Sequence, residues 1–287
     1  MAGLGGLVAA CVAMLTPAMP LAAANEPPRR IVSLNLCLDP IVLDLVSRER
    51  IQALSWVSGD RNVSPIVDRL DGIRLVRGAA EEVLALDPDL VLAGDYTTPA
   101  TVDLLRRLGR RVEVIPMAFD IAGIHKTIAA VAEAVGESRR GKEMIADFDR
   151  KIAEAARGAV GADRPEAAVY QANSLVSKSG SMAAAALEAA GFRNAGDRLG
   201  KGVAGRVSLE ALVADPPDLI ALGQSATTYR TPVADNLRHP ALASVLSRRP
   251  HVDLPMPLWL CGGPQIADAV AILAQARADL THPRAQP

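Results

Sequence analysis

The sequence predicts an α/β protein of two lobes, each a parallel β-sheet covered by helices, with one long α-helix between them. Three observations predict this class. Short apolar runs alternate with amphipathic helical segments through most of the chain, which is the pattern of parallel sheets. Residues 138–160 have helical periodicity and no strand signal. Residues 81–94 recur in related form as residues 210–223, which indicates two similar halves.

The first half contains four predicted strands and two predicted helices. Apolar runs predict the strands at residues 30–34, 51–55, 90–93 and 111–115. Residues 40–46 form a predicted helix with Asp39 as its N-cap and Pro40 in its first turn. Residues 101–108 form the second helix, which Gly109 ends because glycine readily adopts the left-handed conformation of a helix terminus.

The middle of the chain is predicted to be one amphipathic helix over residues 138–160. Its apolar positions, such as Ile145, Phe148 and Ile152, recur at three- and four-residue steps, and its other face is charged. At 1.5 Å per residue such a helix is roughly 35 Å long, which is long enough to run from one lobe to the other. An ordinary surface helix is the alternative.

The second half repeats the strand–helix alternation. Residues 167–171 and 218–222 are predicted strands, and the helix that follows Ser181, its N-cap, is ended by Gly191. The units 81–94 and 210–223 align without a gap, with a glutamate, an alanine, a Pro-Asp-Leu run and the final glycine in common. Two copies of one unit on either side of a long helix predict two lobes with a groove between them.

The N-terminal residues 1–24 are apolar or small and uncharged, and Ala22 and Ala24 fit the small-residue pattern of a signal-peptide cleavage site. A membrane anchor and a lipid anchor at Cys11 are the alternatives. A cleaved signal predicts a location in the periplasm. The rest of the chain then divides into an N-terminal lobe, a linking helix, a C-terminal lobe and a tail, at residues 25–137, 138–160, 161–280 and 281–287.

Composition and motifs exclude several classes of function. A net charge of -1 with 22% charged residues provides no basic face, which argues against nucleic acid as a partner. A dehydrogenase would carry Gly-x-Gly-x-x-Gly after its first strand, and a serine hydrolase would carry Gly-x-Ser-x-Gly. Neither motif occurs in the sequence. The chain is therefore expected not to be an enzyme, with an exported enzyme that uses Cys37 as the alternative.

Ligands of open α/β sheets bind at the carboxyl ends of the strands, and those ends supply the candidate ligand-binding residues. In the first lobe the candidates are Asn35, Cys37, Trp56, Asp60, Tyr96 and Thr97. In the second lobe the candidates are Asn173, Ser174, Gln224, Tyr229, Arg230, Trp259 and Cys261. Aromatic residues make up only 3% of the chain, so their presence among polar groups favours a bulky, partly apolar ligand with polar edges.

Cleavage of the signal would leave two cysteines, Cys37 and Cys261, one at a predicted strand end in each lobe. Separate thiols are the first expectation, a disulfide across the groove is the second, and a soft-metal pair is the third. A disulfide requires Cα atoms within about 7 Å of each other, which would nearly close the groove. A thiolate pair alone is an incomplete site for most metals.

Three segments carry a resemblance to a known family: the Arg-Ile-Val-Ser-Leu run at 30–34, the Glu81 to Val91 unit, and its echo from Glu210 to Ile220. Together they resemble the periplasmic binding proteins for iron–siderophore complexes and vitamin B12, over about residues 30–278. The resemblance implies two Rossmann-like lobes joined by a stiff backbone helix. It also implies that Glu81 and Glu210 lie on the exposed top of the lobes and pair with arginines of a permease dimer, with Glu82 as the alternative to Glu81.

The expected function is therefore transport. A monomer without a cofactor would bind an iron–siderophore, cobalamin or a related metal chelate between its lobes and deliver it to an inner-membrane ABC permease dimer. Arg61, Arg206 and Arg230 are candidates for contacting an anionic chelate, because arginine pairs well with planar oxyanions. A zinc- or manganese-binding importer subunit is the alternative, although it would need buried histidine and carboxylate ligands from both lobes. The sequence does not distinguish an iron–siderophore from a corrinoid.

Overall fold

The computed structural model describes residues 26–157, 164–224 and 232–281. Residues 1–24, where the signal peptide is predicted, lie outside the described residues, as does the end of the predicted linking helix.

The first half contains β1 (Ile31–Ser33), α1 (Asp39–Leu45), β2 (Ile51–Ser55), β3 (Leu75–Val76), α2 (Ala80–Leu84), β4 (Leu90–Gly94), α3 (Pro99–Arg107), β5 (Val112–Ile115) and α4 (Ile121–Ala134). It is followed by α5 (Ser138–Ala156), β6 (Glu166–Gln171), β7 (Leu175–Val176), α6 (Met182–Ala189), β8 (Arg193–Asn194), α7 (Gly196–Leu199), α8 (Leu209–Ala214), β9 (Leu219–Leu222), α9 (Pro240–Leu246), β10 (His251–Asp253) and α10 (Ile266–Thr281).

The first half folds around a five-stranded sheet in the order β3-β2-β1-β4-β5, and all of its pairings are parallel. Its central strands are almost entirely apolar because helices cover both faces. Helices α1 and α4 pack on one face, and α2 and α3 pack on the other. This arrangement confirms the predicted parallel sheet covered by helices.

The second half folds around a sheet in the order β10-β9-β6-β7, with β8 also paired to β6. The run β6-β9-β10 has the same neighbours and direction as β1-β4-β5 in the first sheet, which confirms that the repeated sequence unit builds two similar lobes. Strand β7 differs from the prediction because it is antiparallel to β6. A tight turn over Ala172–Ser174 reverses the chain directly after β6, so no crossover helix separates the two strands.

Helix α5 joins the two lobes. It has 19 residues, a length of about 28 Å, and it packs against α4 of the first lobe and α10 of the second. Phe148 is 1% exposed and lies in a core cluster that contains residues from both lobes. The close approach of α4 requires a glycine at position 141, since a Cβ there would lie 2.4 Å from the Cβ of Ala132. The alternative of a helix on the surface of a single domain is therefore wrong.

The helix ends agree with the sequence prediction in three places and disagree in one. Ser181 caps α6, because its Oγ accepts a hydrogen bond from the Ala184 N–H at 3.3 Å. Gly109 and Gly191 follow α3 and α6 with φ of 78° and 86°. The prediction that Asp39 is an N-cap is wrong, since the N-cap is Leu38 and Asp39 is the first residue of α1. Its side chain points into the protein rather than back along the helix, and it is fully buried.

No helix within the described ranges is long and apolar enough to cross a membrane.

Candidate ligand groove between the lobes

A disulfide links the two lobes where their strand-end loops meet. Cys37 lies in the loop after β1, and Cys261 lies in the loop before α10. The Cα atoms of the two cysteines are 5.1 Å apart. The first expectation, separate thiols, is therefore wrong, because the lobes approach more closely than the sequence indicates. With both sulfurs in the bond, neither cysteine presents the thiolate that a metal ligand or a nucleophile requires.

A small cavity of about 170 Å³ lies between the lobes next to this disulfide loop. Its walls come from the loop after β5, from the start of α6 and from the loop before α10, and are formed by Met117, Ala118, Phe119, Gly180, Ser181, Met182, Ala183, Trp259 and Leu260. Trp259 thus lines the interlobe cavity, but only 7% of it is exposed. Its indole N–H donates to the Leu254 carbonyl at 2.9 Å, so much of the side chain serves the core of the second lobe.

A larger cavity of about 650 Å³ lies elsewhere, between α10 and the segment that includes Leu219, Pro250 and His251. These residues stand at the amino ends of β9 and β10. Ligands of open sheets bind at the opposite, carboxyl ends, so this cavity is not part of the groove.

The candidate wall of the groove in the first lobe consists of Trp56 and Arg77, which follow the carboxyl ends of β2 and β3. Trp56 follows β2 and is 50% exposed. The Arg77 guanidinium carbon lies 5.1 Å from the centroid of the indole ring, which is cation–π distance. Because β2 and β3 are parallel neighbours, the residues that follow them reach the same sheet edge. Arg77 was not among the residues predicted from the sequence, although the repeat indicates it. Arg77 stands four residues before Glu81, and the predicted Arg206 stands four residues before Glu210.

The corresponding candidate wall in the second lobe consists of Asn173, Ser174 and Arg206, which lie at the carboxyl end of β6. Asn173 and Ser174 have positive φ values of 61° and 53°, a conformation that is unfavourable for residues other than glycine and that recurs at ligand sites. The Asn173 N–H donates to Asn236 Oδ1 at 3.0 Å, which holds the turn in place. The Arg206 guanidinium donates to the Asn173 side-chain oxygen at 3.3 Å, so this exposed cation is held at the strand end.

Two of the predicted ligand-binding residues make hydrogen bonds that hold loops. Asn35 Oδ1 accepts a hydrogen bond from the Cys37 N–H at 2.8 Å, and its amide packs over Gly94, where a Cβ would lie 2.2 Å from Nδ2. Gln224 Oε1 accepts from the Ala172 N–H at 2.7 Å. Both side chains are therefore occupied in shaping the strand-end loops.

The remaining predicted residues of the first lobe lie on exposed turns. The Asp60 carboxylate accepts from the backbone and side-chain amides of Asn62, both at 2.9 Å. Thr97 Oγ1 accepts from the Gly94 N–H at 3.1 Å, whereas Tyr96 is 77% exposed. Of the predicted residues of the second lobe, Tyr229 and Arg230 lie outside the described residues.

Arg61, one of the arginines considered for an anionic ligand, forms a bidentate pair with Asp68 on the surface, at 2.9 and 2.6 Å. Its donors are already engaged by a carboxylate.

A buried carboxyl group lies beneath the first-lobe wall. Asp39 accepts hydrogen bonds from the Ser55 N–H at 3.0 Å and from the Ser58 hydroxyl at 2.5 Å. Burial raises the pKa of Asp39 to about 7, and the nearby Ser33 hydroxyl together with the hydrogen bonds from Ser58 and Ser55 partly offsets this rise. Its second oxygen has no hydrogen-bond partner among the described residues. The group joins α1 to β2 directly under the loop that carries Trp56.

The two glutamates of the repeat occupy equivalent places. Glu81 is the second residue of α2, and Glu210 is the second residue of α8. Both are exposed. The neighbouring Glu82 accepts a hydrogen bond from the Arg77 N–H at 2.8 Å, so its carboxylate already has a structural partner. The pKa of Glu210 is lowered by its own backbone N–H and by the Ser208 hydroxyl.

Two histidines in the described ranges have structural partners. His125 Nε2 lies 2.7 Å from Asp149 Oδ1, a contact between α4 and α5. His239 caps α9 by accepting from the Ala241 N–H at 3.1 Å. Within the described part of the chain, no three His, Cys, Asp or Glu residues are grouped closely enough to hold a metal ion.

The sequence pattern of the periplasmic binding protein family matches residues 61–245 of this chain. A cobalamin-binding protein of Halobacterium salinarum is 26% identical over 205 residues, which is 70% of this chain and 56% of that protein. The chain thus matches little more than half the length of its curated relative.

Solved structures share the fold. The periplasmic heme-binding protein RhuT from Roseiflexus sp. RS-1 in its apo form superimposes with a TM-score of 0.72 and 23% identity, covering 88% of this chain and 99% of that one. The periplasmic vitamin B12-binding protein BtuF of Vibrio cholerae superimposes with a TM-score of 0.67 and 18% identity, covering 89% and 99%. The family match extends over more than half of the chain, so this chain belongs to the periplasmic binding protein family.

Proposed function

We propose that this chain is the solute-binding subunit of an ABC importer, which holds a metal chelate in the interlobe groove and delivers it to an inner-membrane permease. One observation carries the proposal. The strand-end loops of two equivalent lobes meet at the Cys37–Cys261 disulfide, and Trp56 and Arg77 of the first lobe and Arg206 of the second lie at these same ends of the sheets. Family membership supports a role in binding without turnover.

We infer that the ligand is a flat metal chelate with anionic groups at its edge. The exposed face of Trp56 offers a stacking surface, and arginines pair with carboxylates through two parallel hydrogen bonds. The similar proteins include a cobalamin-binding relative and heme-binding structures, and these names support a metal chelate as the ligand. An iron–siderophore, which is compact and octahedral instead of flat, is the other metal chelate that the proposal includes.

Equilibrium titration followed by native mass spectrometry tests this proposal, with hemin, cyanocobalamin, ferrichrome and free Zn²⁺ as the probes. One of the chelates is expected to bind with a stoichiometry of one per chain. Trp56→Ala and Arg77→Ala should each weaken that binding by about tenfold or more, as is usual for a central contact. Arg107→Ala is the matched control, because Arg107 is an exposed arginine on α3. Binding of Zn²⁺ with no binding of any chelate would support a zinc importer instead.

We further propose that Glu81 and Glu210 form the docking points for the permease. They stand at equivalent positions on α2 and α8, one in each lobe, and both are exposed. Two separated carboxylates on a stiff body suit a two-fold symmetric partner with arginine clusters. Contacts of this kind guide association and register more than they add affinity.

Transport of the bound chelate into cells or proteoliposomes that contain the matching permease tests the docking role. The double variant Glu81→Ala, Glu210→Ala is expected to lose transport while it keeps the ligand affinity of the wild type. Glu188→Ala is the control, since Glu188 is an exposed glutamate on α6, on the other face of the second sheet. A double variant that loses ligand affinity, or that transports normally, would contradict this division of roles.

We also propose export to the periplasm through a cleaved signal at residues 1–24, with lobes at 25–137 and 161–280 around a linking helix at 138–160. The disulfide supports an oxidising compartment, because such bonds persist there and are rare in the cytosol. N-terminal sequencing of the exported protein should begin near Asn25. Retention of residues 1–24, or a lipid on Cys11, would contradict cleavage at this site.

A further inference from the structure

We propose that the Cys37–Cys261 disulfide is a redox site that pins the floor of the interlobe groove, and that its reduction by a dithiol lets the lobes separate there. The bond joins residues 224 positions apart in the sequence, one in each lobe. The disulfide is therefore a second covalent connection between the lobes, in addition to α5. This inference concerns the protein alone and does not depend on which ligand the groove binds.

The two connections between the lobes lie in different parts of the fold. Helix α5 packs among helices, against α4 and α10, whereas the disulfide lies in the loops at the strand ends. Two bodies joined at one place can hinge apart, but two bodies joined at separate places keep only rotation about the line between those places. The disulfide thus sets the width of the groove floor.

The noncovalent contact nearest the disulfide is made by small residues. The loop after β5 meets the disulfide loop at Ala118 and Gly262, and a Cβ on Gly262 would lie 2.4 Å from the Cβ of Ala118. An alanine and a glycine bury little apolar area. The neighbouring contact of Met117 and Phe119 with the second lobe is interrupted by the cavity of about 170 Å³. The bond therefore adds a covalent connection at a place where the contact is made by small side chains and broken by a cavity.

Each cysteine is held by an amide side chain of its own lobe. Asn35 accepts a hydrogen bond from the Cys37 N–H at 2.8 Å. Gln265 Nε2 donates to the Cys261 carbonyl at 2.9 Å. These contacts do not depend on the S–S bond. After reduction the two thiols therefore remain on ordered loops, from which the bond can form again.

The chemistry follows from the difference in exposure between the two cysteines. Cys37 is partly exposed, and Cys261 is 2% exposed. A thiolate of the dithiol attacks Cys37 Sγ, the S–S bond breaks, and Cys261 leaves as a thiolate that takes up a proton. The second thiol of the reductant then attacks the mixed disulfide and releases the Cys37 thiol. The two protein sulfurs gain two electrons and two protons, and the dithiol is oxidised to its own disulfide.

The physical consequence is a groove that is preorganised in the oxidised protein and open in the reduced one. A rigid groove loses less conformational entropy when a ligand binds than a flexible one does. Reduction would increase the motion of the groove loops while α5 keeps the lobes joined. The state of the disulfide thereby decides how far the lobes can move apart.

Hydrogen exchange followed by mass spectrometry tests this proposal without a ligand. Peptides that contain residues 116–119 and 259–263 should exchange about tenfold faster after treatment with dithiothreitol, because their opening is local. Peptides from α5 should keep their rates. The double variant Cys37→Ser, Cys261→Ser should exchange as fast as the reduced wild type, with or without dithiothreitol. Thiol alkylation of the untreated wild type should label neither cysteine.

The reduced wild type provides the same test if the double variant does not fold, since it is reduced after folding. Equal rates in the oxidised and reduced protein would overturn the proposal, because the bond would then hold nothing in place. Labelling of both cysteines in untreated protein would overturn it by showing that the bond does not form. Faster exchange of the α5 peptides together with the loops would also overturn it, since reduction would then unfold the protein instead of opening the groove.

Discussion

Substitution of Asp39 by asparagine tests the effect of an ionisable group buried beneath the groove. Asp39 is fully buried, and the burial raises its pKa from the ordinary value of 3.8 to about 7. Its hydrogen-bonded oxygen accepts from the Ser55 N–H and the Ser58 hydroxyl. An asparagine side chain of nearly the same shape keeps an oxygen acceptor for both donors and carries no charge at any pH.

The direction of the effect follows from the two pKa values. The folded protein holds the Asp39 proton more tightly than the unfolded chain does, so stability falls as the pH rises from about 4 to about 7. A rise in pKa from 3.8 to about 7 corresponds to about 4 kcal/mol, at about 1.36 kcal/mol for each pH unit. Below pH 3.8 the side chain is neutral in both states and this contribution vanishes. Above pH 7 the folded protein carries the whole destabilisation.

Urea denaturation followed by circular dichroism, at pH values from 4.5 to 8, measures the effect. The free energy of unfolding of Asp39→Asn, relative to the wild type, is expected to increase by about 3 kcal/mol over this pH range, because about 1 kcal/mol of the effect develops below pH 4.5. Other titrating groups are common to both proteins and cancel in the difference. Asp103→Asn is the control, because Asp103 is exposed on α3. A difference between Asp39→Asn and wild type that stays constant with pH would refute the assignment of a buried, protonated carboxyl.

Two further predictions concern the loops of the groove. Gly262→Ala places a Cβ 2.4 Å from the Cβ of Ala118, so it should destabilise the protein by about 1–3 kcal/mol through overpacking between the lobes; an unchanged melting temperature would show that the loops separate freely. Gln224→Ala removes the acceptor of the Ala172 N–H and should lower stability by about 1–3 kcal/mol, because that donor is left without a partner. Gln224→Glu, which keeps an oxygen acceptor, should restore most of the loss in the same thermal denaturation.

The elements that the sequence predicted well are those with strong local patterns. Strand β2 has the predicted bounds, and β1, β4, β5, β6 and β9 lie within one residue of theirs at each end. Helix α5 was predicted because apolar residues such as Ile145 and Phe148 recur at helical spacing, while charged residues occupy the opposite face. Burial on one side of a helix and on both sides of a parallel strand imposes these periodicities directly.

The missed elements lack such contrast. The edge strand β10 has only three residues, two of them exposed polar side chains, so it shows no apolar run. Helix α10 is rich in alanine, which blurs the difference between its faces. Asp39 fits the sequence pattern of an N-cap, but its side chain points inward and accepts a hydrogen bond from Ser55 of β2. The residues next to Asp39 in the sequence do not indicate this orientation, because it depends on how α1 packs against β2.

The sequence by itself determined the class of fold, the two related lobes, the helix between them and the strand ends where the groove lies. Each of these follows from spacing along the chain, because hydrophobic periodicity and turn residues act over a few positions. Only the tertiary structure decided that Cys37 bonds to Cys261, that Arg77 stacks on Trp56, and that Gln224 holds the turn at Ala172. These contacts join residues far apart in sequence, so their distances depend on how strands pair within each sheet and, for the disulfide, on how the two lobes pack together.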